Sequence, residues 1–403
     1  MRTVPLRRLA HIVNGGTPKG DASNWDGDVP WATPVDLGKA HGGELSDTLR
    51  TLTDEGLETG SSAVPAGSVL LSTRAPVGYV AITTQRMAFN QGCKALVPDK
   101  RLNSRYLAYA LQASTANLQV RSNGTTFLEL STEELKSTRI PYLTVPKQVQ
   151  IADFLDRETA QIDAMIEAQE DLLQTLINRC AATRRRGFFA LRDMADIRPL
   201  KHLARKVSGS AFPLEEQGEK GLDLPFYKVA ALASRDVHGI IVTESDTIAS
   251  ETRARLGAHV IPTGSSLMAK IGAASLLARI GIISRDCCID NNMVAFIART
   301  GVDPRFLYHA LCDIDIYPYI NQSTIPYMNE RAIMNAPIPL PNLAEQRRLV
   351  DKLDRELTKG SALVAETDSM IFLLRERREA LITAAVSGRI DPTTGIERIE
   401  EAS

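Results

Sequence analysis

The residues best suited by type to catalysis do not assemble into a catalytic set. GGTPKGDA from Gly15 has the rhythm of a loop whose backbone N–H groups and lysine cradle a phosphate, but no Lys-Ser/Thr pair follows its second glycine. Pro98-Asp99 followed by Glu134-Leu135-Lys136 imitates the acid-acid-lysine set of a metal-dependent nuclease. The corresponding positions of a second copy of the segment, Ala332 to Met334, carry neither acid nor base. No Asn/Asp-Pro-Pro-Tyr methyltransferase motif and no glycine-rich cofactor loop is present. The six histidines (His11, His41, His202, His238, His259, His309) share no metal-ligand or triad spacing, which leaves surface and packing roles. The five cysteines (Cys93, Cys180, Cys287, Cys288, Cys312) are odd in number and lack CxxC spacing, so neither a disulfide framework nor a zinc site is indicated. No cofactor or metal is expected in this chain.

What remains is a set of loops rich in Gly, Asn, Thr, Arg and Lys, and the elements that must hold them. The longest of these is a helix, and it occurs twice. PKQVQIADFLDRETAQIDAMIEAQEDLLQTLINR runs from Pro146, and AEQRRLVDKLDRELTKGSALVAETDSMIFLLRER from Ala344. Both contain LDRE, at Leu155 and Leu353, an offset of 353 − 155 = 198. At that offset Ile151, Leu155, Glu158, Ile162, Met165, Gln169, Leu172, Leu176 and Arg179 line up with Leu349, Leu353, Glu356, Gly360, Leu363, Thr367, Met370, Leu374 and Arg377. Their alternating steps of four and three average 3.5, the period of a coiled-coil seam. Pro146 suits a first helical turn, Asn342 with Glu345 a capping box, and Gly187 and Gly388 left-handed caps. Gly360 interrupts the second seam and costs roughly 1 kcal/mol of helix propensity.

The segments before the helices also repeat. PLRRLAHIVNG at Pro5 returns as PLKHLARKVSG at Pro199, VPAGSVLLSTRAPVGYVAI at Val64 as IPTGSSLMAKIGAASLLARI at Ile261, and FNQGCKALVP as IDNNMVAFIA. RYLAYALQ at Arg105 returns as RFLYHALC at Arg305, and NGTTFLELSTEELKSTRIPYL as NQSTIPYMNERAIMNAPIPLP. The chain is a duplicated unit of globular α+β domain plus long helix. Its connectivity predicts that the helices run antiparallel about a pseudo-two-fold axis, with a domain at each end. Paired residue numbers summing to about 535 would set Glu158 against Arg377, Arg179 against Glu356, Met165 beside Met370 and Leu172 beside Leu363, the charges either fixing register or lying on a solvated rim.

With 403 residues, 44% hydrophobic and 24% charged, the chain reads as a soluble protein of two or three domains. A net charge of −1 gives no bulk attraction to nucleic acid. That counts against a free-standing DNA binder and less against a subunit whose partners supply charge. MRTVPLRRLA lacks a signal-peptide apolar core, and Lys270 and Arg279 break the most apolar stretch, so a cytoplasmic protein with reduced thiols is expected.

Several of these stretches carry a resemblance. The opening LxxLAxIxxGGTP…W…D.PWATPxDL, LSTRAPVGYVAI followed by FNQGCKAL, NGTT…L…L…IP leading into Q..IA.FLD, and the closing REALITAAVSGRIDP resemble the specificity subunit of type I restriction-modification enzymes through both repeats. The second repeat is looser, with Pro225 and Phe226 standing where Pro30 and Trp31 do. The resemblance implies an α+β fold class. Two repeated α/β target recognition domains (1–143 and 193–341) are separated by two long antiparallel spacer helices forming a coiled coil (144–192 and 342–390), with a tail at 391–403. It implies a non-catalytic subunit in which each domain reads one half of a bipartite DNA target. The helices would set the gap and dock two methyltransferase subunits, which use S-adenosylmethionine. Motor-nuclease subunits using ATP and Mg would join in the full complex. The alternative is a non-catalytic coiled-coil scaffold without DNA binding.

Side chains that can reach base edges, and loop amides that can reach phosphates, then become the site. In the first domain these are Thr17, Lys19, Thr33, Arg74, Asn90, Gln91, Thr125 and Thr126; in the second, Lys228, Lys270, Asn291, Asn292, Gln322, Ser323 and Thr324 are their analogues. Asn, Ser and Thr also suit plain turn stabilisation, and Trp31, a lone aromatic after proline, suits the core. Arg184, Arg185 and Arg186 suit phosphate, an acidic partner or the negative end of a helix dipole.

Overall fold

A computed structural model describes residues 2–74, 76–122, 129–243 and 246–396. The chain divides into two compact units, one of Met1–Gln169 with Met370–Ser403, the other of Glu170–Ser369. In the first, strands Ala10–Asn14, Cys93–Pro98, Val69–Thr73, Val77–Thr83 and Glu44–Leu45 lie in that order in one sheet. Thr51–Leu52, Trp25–Ala32, Met87–Phe89 and Ser62–Val64 form a second. Every residue of Val69–Thr73 is buried, which is why Val69, Leu70 and Leu71 do not alternate with polar residues and why the Ser72 and Thr73 hydroxyls donate to the Pro76 and Gly92 carbonyls. In the second unit Ala204–Ser208, Met293–Ala298, Ser266–Ala269 and Ile280–Ile282 repeat the first four strands in order. Asp246–Ile248, Leu224–Tyr227 and Cys288–Ile289 make the smaller sheet.

A short amphipathic helix covers each main sheet. Ser104–Ala113 is capped by Asn103 and buries Tyr106, Leu107 and Leu111; Pro304–Asp313 is capped by Asp303 and buries Phe306, Leu307 and Leu311. Onto these helices pack the long ones, Val145–Arg192 and Leu343–Val386. Ile151, Phe154 and Leu155 from the start of the first long helix join Ile382, Ala385 and Val386 from the end of the second in the first unit's core. Val350 and Leu353 join Phe188 and Leu191 in the second unit's core. Start meets end in each unit, so within each the two helices run antiparallel.

The repeated LDRE motif is legible as chemistry at this junction. Its leucines, Leu155 and Leu353, are buried. Its aspartates tie helix to domain: Asp156 accepts from Arg105 and, at 2.8 Å, from the Tyr109 hydroxyl. Asp354 accepts from Arg305 at 2.5 Å and lies 3.0 Å from Nε2 of the fully buried His309. Burial alone would raise the Asp354 carboxyl, but the His309 and Arg305 hydrogen bonds hold it well below the usual carboxylate range. A buried glutamine anchors each helix start. Gln148 accepts from the Asn103 amide and donates to the Arg101 and Leu143 carbonyls; Gln346 accepts from the Asp303 amide and donates to those of Gly301 and Pro341. Each amide is thus satisfied on both sides, as burial requires.

The seam departs from the expected ladder at every second rung. Leu155, Ile162, Gln169 and Leu176 face inward as expected, but between them the structure turns in Thr159, Ile166, Leu173 and Cys180. In the second helix Leu353, Gly360, Thr367 and Leu374 alternate with Leu357, Val364, Ile371 and Arg378. The physical reason is that Met165-Ile166, Leu172-Leu173, Leu363-Val364 and Met370-Ile371 are adjacent apolar pairs, so either member satisfies a 3.5-residue period. The second of each pair turns in, and Met165, Leu172, Leu363 and Met370 stay 51%, 44%, 49% and 46% exposed.

The charged rungs therefore sit on the rim. Glu158 pairs with its neighbour Arg157 at 3.3 Å and Glu356 with Lys359 at 3.6 Å, while Arg378 pairs with Asp163 between the helices at 2.8 Å. Interhelical neighbours sum to 540 for Cys180 with Gly360 and 541 for Asp163 with Arg378, a slip of about one and a half turns from the expected register. Gly187 is no cap; it lies inside the first long helix, where a Cβ would stand 3.0 Å from Leu349 Cδ1. Gly388, at φ 77°, does take the left-handed position just past the end of the second long helix.

Gly360 has a reason beyond propensity, because a Cβ there would stand 2.5 Å from Cys180 Sγ. Gly360→Ala should fail to deliver the ~1 kcal/mol that glycine replacement gains in an open helix. It should lower Tm in the natural background and raise it alongside Cys180→Ala. A gain from Gly360→Ala alone, read by thermal unfolding, would contradict this packing.

Candidate nucleic-acid interface

In the first unit the polar loops converge because the backbone ties them to one turn. Gly15 and Gly16 hydrogen-bond to the carbonyls of Cys93 and Phe89, at 3.4 and 3.0 Å. A Cβ on Gly15 would overlap the Asn90 carbonyl, which accounts for glycine at this position of GGTP. Asn90 donates its amide to Ala32 O at 2.9 Å and accepts from the Gly92 amide at 2.9 Å, closing the Asn90–Gln91–Gly92 turn. Thr73 N reaches Gly92 O at 2.8 Å, bringing Arg74 alongside; a Cβ on Gly92 would lie 3.3 Å from Arg74 Nε and 3.2 Å from Pro34 Cγ. Thr17 donates to the Gln91 side chain. Thr17, Thr33, Arg74, Asn90 and Gln91 therefore gather at one place, with Lys19 exposed on the adjoining loop. Thr125 and Thr126 lie outside the described residues.

These side chains are not equally free. Thr33 caps the helix Pro34–Lys39 in a reciprocal box with Asp36, so its hydroxyl is committed. Asn90 is committed to its turn. The Arg74 guanidinium, half-buried, makes no hydrogen bond or ion pair among the described residues, and Gln91 and Lys19 are exposed.

Sequence reasoning missed three neighbours. Lys94 is buried beneath the cup, donating to Asn14 Oδ1 at 3.2 Å; burial lowers its pKa, with Glu129 raising it and Arg74 lowering it. A lone lysine in the apolar strand CKALVP was the available signal. Arg50 is exposed and lies 3.4 Å over the Trp25 ring, which meets Trp31 edge to face at 5.0 Å. Trp31 itself is core, 5% exposed, its indole N–H on the Gly16 carbonyl at 3.1 Å.

The second unit repeats the backbone scheme bond for bond. Gly209 N reaches Met293 O, Ser210 N reaches Ile289 O, Asp290 N reaches Tyr227 O and Lys270 N reaches Asn292 O. This equivalence fixes the match residue by residue. Lys270 occupies the place of Thr73, and the counterpart of Arg74 is Ile271, whose bridge to Tyr327 matches that of Arg74 to Glu129.

The charges also differ. Lys228 pairs with Asp246 at 2.8 Å and donates to Gln217 at 2.6 Å. Lys270 and Lys206 both bind Glu330, at 3.1 and 2.7 Å, with Ser208 adding a third hydrogen bond. Burial would raise the Glu330 carboxyl, yet its Lys206, Lys270 and Ser208 hydrogen bonds together lower it. Asn292 donates to Asp290 at 3.0 Å, and Ser323 to the Ile325 carbonyl. Asn291, Gln322 and Thr324 are exposed. The first cup thus presents a guanidinium with no partner among the described residues, and the second a neutralised lysine pair with exposed amides and hydroxyls.

Comparison with known proteins places this geometry. The family model for the type I restriction modification DNA specificity domain matches residues 1–174 and again 189–366. The MjaIX specificity subunit of Methanocaldococcus jannaschii, named as that of a type I restriction enzyme, is 25% identical over 96% of this chain and 92% of its own. The EcoBI specificity subunit of Escherichia coli is 34% identical over 21% of this chain and 19% of its own. A solved structure from work on complex assembly and conformational transition of the type I R-M system superposes with a TM-score of 0.68, at 17% identity over 96% of this chain and 97% of that one, which supports the fold.

Arg74→Ala should weaken binding to duplex DNA about tenfold and lower the slope of log affinity against log salt by about one, as expected when one cation leaves the interface. Lys270→Ala should change the slope less, because Glu330 already holds that charge. Equal slopes for Arg74→Ala and the natural protein, with the fold intact, would remove Arg74 from the interface.

Proposed function

Because the chain belongs to the family of type I restriction-modification DNA specificity domains, we propose that each globular domain reads one half of a bipartite DNA target while the long helices set the gap and dock two methyltransferase subunits. The observation that carries this reading is the repeated cup: one hydrogen-bonded scaffold, built twice, holding different side chains at its rim. A scaffold kept while its rim varies is what two half-targets of different sequence require, since phosphate contacts position and base contacts specify. Arg74, Lys19 and Gln91 are the first cup's readers, and Asn291, Gln322 and Thr324 the second's. Arg can reach guanine and Asn or Gln adenine in the major groove.

No chemistry is assigned to this chain. Methyl transfer, with S-adenosylmethionine, belongs to the docked subunits, and ATP- and Mg-dependent motor-nuclease subunits join them, in the cytoplasm. Among the described residues no helix is long and apolar enough to cross a membrane, and no group of His, Cys, Asp and Glu is placed to hold a metal ion.

A groove present in each unit supports two copies of one partner. In the first unit it measures about 580 Å³, lined by Phe154, Arg157, Glu158, Met165, Arg377 and Leu381. In the second it measures about 570 Å³, lined by Lys352, Arg355, Glu356, Arg179 and Thr183. At the offset of 198, Arg157 matches Arg355, Glu158 matches Glu356, and Arg179 matches Arg377. Met165 lines the first groove, and Leu363, its match at the offset of 198, is likewise exposed, as are Leu172 and Met370. Exposed apolar side chains ringed by charge are the composition of a partner surface.

Native mass spectrometry of the chain with its methyltransferase partner should give two partner copies. Arg157→Glu with Met165→Asp should leave one, as should Arg355→Glu with Leu363→Asp, and the combination should leave none. A gel shift on duplex DNA should appear with the partner present. No shift in any lane would favour a scaffold without DNA binding, and a single-groove variant that loses both copies or neither would refute two independent docking sites.

A further inference from the structure

One groove in the second unit is lined by charged residues that the first copy does not repeat. It measures about 770 Å³ and lies where the last turns of the first long helix pass the end of the short helix Pro304–Asp313. Arg185, Arg186 and Arg192 line it, with Phe189, Asp313 and Tyr317. Phe189 and Tyr317 are large rings left 67% and 59% exposed, and Ile314 and Ile316 add apolar wall. None of the three arginines makes a hydrogen bond or ion pair among the described residues. Arg192 and Arg185, with Arg184, act on Asp313, whose carboxyl burial nonetheless pushes up to about 6. Asp315 is committed to the Tyr317 amide at 3.2 Å. Ala278, at the groove's edge, holds a left-handed φ of 48°, a backbone state that a non-glycine residue adopts only at a cost.

The duplication supplies the control. Matched at the helix offset of 198, Arg185, Arg186, Phe189 and Arg192 correspond to Thr383, Ala384, Ser387 and Ile390; matched through RYLAYALQ and RFLYHALC, Asp313 and Asp315 correspond to Ala113 and Thr115. Every charge and the exposed ring are absent from the first copy. A solvated helix terminus that merely complemented its dipole would not need a concave apolar wall. A surface for the twice-docked partner would be expected in both copies, as the paired grooves are.

We propose that this groove is a once-per-chain docking site for an acidic protein segment that carries an aromatic or aliphatic anchor residue. Glutamate or aspartate side chains would take the free guanidiniums in charge-assisted, bidentate hydrogen bonds. The anchor would pack against Phe189 and Tyr317, and Ile316 would close the contact. A DNA backbone fits less well: it would set phosphates against Asp313 and Asp315 and leave both exposed rings unmatched. The site goes beyond the DNA reading assigned above and does not depend on it.

The test uses the full chain and two probes: a fluorescein-labelled glutamate-rich peptide with one central tryptophan, and the same peptide with every glutamate changed to glutamine. Fluorescence anisotropy should show saturable binding of the first and none of the second. Arg185→Glu with Arg192→Glu should weaken the glutamate peptide at least about tenfold, as expected when charge-assisted hydrogen bonds are lost; Lys220→Glu, an exposed charge change elsewhere, should not. Asp313→Asn, which leaves the arginines in place and so guards against misfolding of the double variant, should tighten it. Absence of saturable binding, equal binding of the glutamine peptide, an unaffected double variant, or weaker binding by Asp313→Asn would each overturn the proposal. So would a double variant that loses duplex DNA binding and keeps the peptide, which would assign the groove to the DNA backbone.

Discussion

Each globular domain closes its core with the beginning of one long helix and the end of the other. In the first unit the contributors are Ile151, Phe154 and Leu155 with Ile382, Ala385 and Val386; in the second, Val350 and Leu353 with Phe188 and Leu191. Fully buried leucines such as Leu155 and Leu353 contribute on the order of 1.5–3 kcal/mol each relative to exposure, so neither end of either helix is free to drift. Asp156 with Arg105 and Tyr109, Asp354 with Arg305 and His309, and the two buried glutamines convert that packing into a fixed attachment of helix to domain.

On this shared frame the two copies have diverged where divergence is harmless to folding. The backbone bonds that assemble the cup are the same in both units, while Arg74 gives way to Ile271 and Thr132 to Glu330, which gathers Lys206 and Lys270. Backbone bonds need only a correct path and glycine where another backbone comes close, as at Gly15 and Gly209. The rim is left to vary, which is the condition for reading two unlike sequences with one architecture.

Much of the architecture was legible in the sequence because duplication shows each element twice. The paired helices, the repeated hairpins and the RYLAY and RFLYH helices follow from apolar periodicity confirmed at a second location. What failed did so for local reasons. Adjacent apolar residues such as Leu172-Leu173 and Leu363-Val364 fit a 3.5-residue period in two phases, and only packing chose the second. Gly187 reads as a stop in sequence but serves as a close approach to Leu349 and Leu353. At the cup, residue type could not reveal that Thr33 is spent on a helix cap with Asp36 and Asn90 on its turn with Gly92, because the same side chains suit a turn or a base edge equally; nor that Lys228 and Lys270 are neutralised, because Asp246 and Glu330 are distant in sequence. Arg50 over Trp25 was invisible for the same reason.

Under the proposed function, two similar domains on one chain read two different half-targets with a constant gap in the DNA between them. That function is tested most directly by sequencing the modified adenines in random DNA exposed to the chain assembled with its methyltransferase partner. The account predicts methylation confined to a split motif, two specified halves around a gap of constant length. Methylation at one contiguous motif, at halves separated by variable gaps, or without sequence preference would contradict it.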